Sequence, residues 1–114
     1  MQKSLLVFAF CAAFAVNGLC QTTESGEYRL YKLQQPIGVE KFAIAPDGAN
    51  QLLTSHFEFN DRSTKVPLDA KLLLTRSLTP ISFELKGKTS RWSDVDLAVD
   101  ISGSVAGIHA LSRA

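Results

Sequence analysis

From Gly26 onward the chain alternates between apolar and polar positions. In Ile81-Ser82-Phe83-Glu84-Leu85-Lys86 the apolar residues take the odd positions and the polar ones the even. Val95-Asp96-Leu97-Ala98-Val99-Asp100-Ile101 repeats the pattern. Val66, Leu68, Ala70, Leu72 and Leu74 form a further apolar set against Asp69, Lys71 and Thr75. Leu53, Phe57 and Phe59 stand against Thr54, His56 and Glu58. A period of two marks a half-buried β-strand, because successive side chains leave opposite faces of the pleat. Gly26 to Leu33 and Val39 to Ala45 alternate less cleanly and read as the first two strands.

Turn chemistry falls between these runs. Pro36-Ile37-Gly38 is expected to separate the first two strands. Pro46-Asp47-Gly48-Ala49-Asn50 is a strong turn signal, since glycine supplies positive φ and aspartate caps the bend. Asn60-Asp61-Arg62-Ser63, Ser77-Leu78-Thr79-Pro80, Ser90 to Asp94 and Ser102-Gly103-Ser104 mark the remaining turns. The last of these sets off a short strand, Val105 to Leu111. Short, evenly spaced strands with no helical period predict an all-β antiparallel meander of six or seven strands. The meander is expected to form one curved sheet or half-barrel with an apolar face that needs a cover. Pro67 donates nothing to a ladder, so Val66-Pro67 is expected at a strand start, an edge or a bulge.

The start of the chain has a different texture. Lys3 gives a positive end, Leu5 to Val16 is an uncharged apolar run of twelve residues, and Gly18-Leu19-Cys20 offers a cleavage site before Gln21. The run is too short for a bilayer span, which takes about 20 apolar residues. The chain therefore divides into a helical signal peptide over residues 1–20 and a single β-rich domain over 21–114. Export to the periplasm or outside the cell follows, with no transmembrane span once the leader is removed. Acylation of Cys20 is the competing reading, against which Leu19 stands where glycine or alanine is usual. Both cysteines, Cys11 and Cys20, fall in the leader, so the domain is expected to hold no disulfide. Val105 to Ala114 brings an apolar stretch with no capping helix or polar tail, which reads as a sheet truncated at its C-terminal end.

Charge narrows the partners. The 114 residues carry 12 basic and 11 acidic side chains, a formal net charge of +1. Lys3 leaves with the leader, so the domain itself is neutral, which argues against nucleic acid. Arg62, Lys65, Lys86, Lys88 and Arg91 make a modest basic band, and Tyr28, Tyr31 and Trp92 are the aromatics available to interleave with it.

Candidate chemistry is sparse. His56 and His109 are the only histidines, and there is no H-x-H, H-E-x-x-H, C-x-x-C or G-x-S-x-G. Asp94, Asp96 and Asp100 fall on one strand face without the glycine of a calcium loop and read as solvated charges. No cofactor or metal site is expected. A small enzyme would require His56 to meet a carboxylate and a serine or metal in one cleft. The apolar side chains Phe42, Phe57, Phe59, Leu72, Phe83 and Leu85 are the candidate face for a lipophilic ligand or a partner domain.

Four stretches carry a resemblance. They are Gly26 to Leu30, Ile37 to Phe42, Phe57 to Leu68 and Leu78 to Arg91. Together they resemble the β-rich region that precedes the catalytic barrel in certain secreted bacterial amidohydrolases related to imidazolonepropionase. The resemblance runs over roughly residues 26–101 and rests on structural motifs. It implies an exported, non-catalytic accessory module whose parent keeps its metal site in a downstream (β/α) barrel, and it supplies no catalytic residue here. The alternative is a periplasmic module that holds a lipophilic ligand on the concave apolar face, an outline shared with lipoprotein-carrier half-barrels.

Overall fold

The described residues of the computed structural model are 22–110. The leader, Cys11, Cys20 and the last four positions lie outside them, so the signal-peptide and acylation readings do too. Seven strands follow one another: β1 (Glu24–Lys32), β2 (Gln35–Asp47), β3 (Asn50–Asp61), β4 (Thr64–Thr75), β5 (Pro80–Ser90), β6 (Ser93–Ser102) and β7 (Val105–Ala110). They form one antiparallel sheet in chain order, β1 to β7, with β1 and β7 as its two edges. The expected meander is therefore present as an open sheet, and no helix occurs among the described residues.

Tight hairpins hold the order. Gly48-Ala49 joins β2 to β3 with Gly48 at φ 58°, and Gly103-Ser104 joins β6 to β7 with Gly103 at φ 60°. Glycine at the first central position of a two-residue loop is the type II′ arrangement. Arg62-Ser63 joins β3 to β4 with both residues at positive φ, which is type I′. Between β4 and β5 the Leu78 N–H donates to the Thr75 carbonyl at 3.0 Å, and the Thr75 N–H donates to the Thr79 carbonyl at 2.9 Å. Leu78, at φ 64°, fills the left-handed place that glycine usually takes in this connection. Arg91-Trp92 joins β5 to β6, and the Ser90 hydroxyl accepts the Trp92 N–H at 3.2 Å.

One turn differs from expectation. Pro36-Ile37-Gly38 is not a turn; all three residues lie in β2. The chain reverses at Leu33-Gln34, both at positive φ, in a second type I′ turn. The proline sits beside the first edge strand, opposite Tyr31, where β1 slips register between Leu30 and Tyr31. Gly38 is used for contact: a Cβ there would stand 2.5 Å from the Glu58 carbonyl oxygen and 2.7 Å from the Phe59 Cβ. Glycine thus lets Phe59, its cross-strand partner, close over the backbone.

Pro67 lies inside the central strand β4, near its start, opposite Glu58. Counting back from the closing pair Asp61 and Thr64, Pro67 and Glu58 fall at a pair that exchanges no backbone hydrogen bonds. The missing N–H would point toward β5, whose pairing with β4 ends at Leu68 and Gly87. Gly87 adopts φ 133°, and a Cβ there would stand 2.4 Å from the Pro67 carbonyl oxygen. The proline is accommodated by letting the β5 ladder stop beside it.

Candidate binding face

Register sorts every side chain onto one of two faces. Opposed residues share a face, so the pairs can be followed across the sheet. One row runs Ile44, Leu53, Leu72, Phe83, Val99, Ile108. The next runs Gly26, Phe42, Ser55, Ala70, Leu85, Leu97. Phe57 and Phe59 continue the same face toward the Arg62-Ser63 turn. All six residues selected from the sequence, Phe42, Phe57, Phe59, Leu72, Phe83 and Leu85, therefore lie on one face. Each is only half-buried. Among the described residues just two apolar side chains are buried, Val66 at 0% and Leu74 at 9% exposure. Among the described residues nothing is laid across the apolar face of this seven-stranded sheet.

Aromatic rings cluster at the β1 side of this face. Tyr28 stacks on Phe42 with ring centroids 5.2 Å apart, and Phe57 stacks on Phe59 at 5.5 Å. The Phe42 ring also covers Gly26, where a Cβ would meet it at 2.7 Å. Between the two stacks stands a carboxylate. Glu40 is in phase with Phe42 and Ile44, so it points to the apolar side, directly opposite Tyr28 on β1 and Phe57 on β3. The Ser55 hydroxyl donates to Glu40 Oε1 at 2.6 Å. Sequence reading missed Glu40, Ser55 and Tyr28 as members of this face. The signal was present, since Glu40 shares the even phase of β2 with Phe42.

The other face is charged and self-complementary. One transverse row runs Glu27, Lys41, His56, Asp69, Lys86, Asp96. Along it Lys41 and His56 lie between Glu27 and Asp69, and Lys86 lies between Asp69 and Asp96. Direct pairs include Lys88 with Asp94 at 2.7 Å, Lys65 with Glu58 at 3.0 Å and Lys86 with Asp96 at 3.7 Å. Asp94, Asp96 and Asp100 share this face, as the alternation implies, and His109 stands 4.0 Å from Asp100. Exposed pairs of this kind each contribute about 0–1 kcal/mol, so they set register and solubility more than stability.

His56 meets a carboxylate, Asp69, at 2.7 Å between Nδ1 and Oδ1. That is one part of an acid–base arrangement. The pair borders a shallow, open depression of about 350 Å³ that also takes in Lys41, Thr54 and Lys71. Ser55 leaves the strand on the opposite face, so no serine joins the pair. Among the described residues no three histidine, cysteine or acidic side chains converge as a metal site. Of the basic and aromatic residues, Arg91 and Trp92 meet in the β5–β6 turn, with the guanidinium 4.9 Å over the ring, while Lys86 and Lys88 are on the charged face and Tyr28 is on the apolar one. No helix among the described residues is long and apolar enough to cross a membrane.

No family model, no curated protein and no solved structure matches the chain.

Proposed function

We propose that this protein is an exported, non-catalytic β-sheet module whose work is to present the apolar face to a covering protein surface. The reading is carried by one observation: Phe42, Phe57, Phe59, Leu72, Phe83 and Leu85 share a face on which, among the described residues, only Val66 and Leu74 are buried. Apolar area is worth about 25 cal/mol per Å² when removed from water, so such a face is a standing source of association energy. The charged face, already paired across its strands, has no comparable driving force. The resemblance to the region ahead of the barrel in secreted amidohydrolases supports the same picture, with a catalytic domain as the cover. A lipophilic ligand on the face is the second reading, favoured by the two aromatic stacks.

A hydrophobic dye tests the face. The purified chain is expected to bind 1-anilinonaphthalene-8-sulfonate in its native state, and Phe57→Ser with Leu72→Ser is expected to lower that binding severalfold while the β-sheet circular dichroism persists. A folded monomer that takes up no dye would overturn the reading. Export is tested separately by N-terminal sequencing of the chain recovered from a bacterial host. Gln21 is the expected first residue, and a chain that still begins at Met1 would sink the export proposal.

A further inference from the structure

We infer that the surface covering the apolar face carries a cation, a lysine or arginine, placed to meet Glu40. The inference rests on the reading that a protein surface covers this face, and it names the chemistry of that surface. Among the described residues Glu40 is the one charged side chain set within the body of the face. Glu24 and Asp61, the other acidic residues in the same phase, stand at strand ends, and Asp61 already has Arg91 Nε at 3.6 Å. The ion pairs described above lie on the charged face or at such ends. The hydrogen bond from Ser55 goes to Oε1. It orients the carboxylate between the Tyr28–Phe42 and Phe57–Phe59 stacks without neutralising it.

Covering the face removes water from that carboxylate. An ionised carboxylate taken out of water without a charged partner costs several kcal/mol, which offsets part of the apolar gain. Three kinds of cover leave the cost standing. A neutral apolar surface offers no partner. An anionic surface makes it worse. A second copy laid face to face brings another Glu40, and the guanidinium at the rim of that face, Arg91, already stands beside Asp61. A surface that is apolar around one lysine or arginine removes the cost and gains a charge-assisted hydrogen bond, while the aromatic stacks shield the pair. The same carboxylate that penalises the wrong covers therefore favours one kind, which is how a buried charge confers specificity.

A displayed library of amphipathic helical peptides, randomised along the apolar stripe, is the probe. Selection on the wild-type chain is expected to enrich sequences with one lysine or arginine inside the stripe, and these peptides should displace the dye. Glu40→Gln keeps the shape and an acceptor for Ser55, and it is expected to weaken them by about tenfold or more. Enriched stripes that are wholly apolar and indifferent to Glu40→Gln would overturn the cation and leave the covering reading in place. A native chain that takes up no dye would overturn the covering reading itself. A dimer by sedimentation that Glu40→Gln tightens, with dye excluded, would assign the face to a second copy and overturn the inference.

Discussion

At Gly87 two constraints act on one residue. Its φ of 133° lies where L side chains rarely go, and a Cβ would press against the Pro67 carbonyl at 2.4 Å. At Gly48 only the first constraint holds: φ is 58° and nothing lies within 4 Å of an added Cβ. Left-handed backbone costs an L-residue about 1–2 kcal/mol. Gly48→Ala should therefore lower the unfolding free energy by about that amount. Gly87→Ala should cost more, about 3 kcal/mol or beyond, because the β4 backbone must also move. Urea denaturation of the two variants checks the order. Equal losses would mean that the approach of Gly87 to Pro67 does not constrain the native sheet.

At the scale of elements, legibility in the sequence followed turn chemistry. The reversals at Gly48-Ala49 and Gly103-Ser104 announce themselves through glycine, and both were readable. The Leu33-Gln34 reversal was not, because neither residue favours the positive φ that it adopts. The eye moves instead to Pro36 and Gly38, which serve the sheet in other ways. The β1–β2 register imposes the turn: Gly26 faces Phe42, whose ring covers it and stacks on Tyr28, and this fixes where β1 folds back. The apolar face was legible for the same reason the strands were, since period two places Phe83 and Leu85 without any knowledge of partners. Glu40 was passed over because β2 alternates less cleanly, with Val39 on the charged face and a carboxylate on the apolar one. The turn residues give a direct test. Leu33 is 90% exposed, so exchanging it disturbs little packing. Leu33→Asn with Gln34→Gly supplies the pair that type I′ prefers and should raise the melting midpoint, by about 1–2 kcal/mol of stability. An unchanged or lower midpoint would place the turn elsewhere than at these two residues.

Across the whole molecule the two edges are unequal. β1 carries Glu24, Glu27, Arg29 and Lys32, charges that oppose the docking of a further strand. β7 reads Val-Ala-Gly-Ile-His-Ala, with no acidic or basic residue beyond His109, and it is exposed throughout. Among the described residues no strand pairs with its outer edge, which offers a template for strand addition. Ile108 stands at the end of the apolar row and is 68% exposed, so this edge and the apolar face meet there. Charge placed at that corner should act on association and leave folding nearly untouched. Ile108→Lys is expected to raise the concentration at which the chain self-associates, with stability changed by under about 1 kcal/mol, because exposed positions rarely cost more. Sedimentation over a concentration series, paired with urea denaturation, separates the two effects. Growth through β7 keeps the apolar faces of both copies free, so dye uptake should survive in the associated species. If association persists in the Ile108→Lys variant and dye is excluded, the contact lies across the face and the β7 edge is not where copies meet.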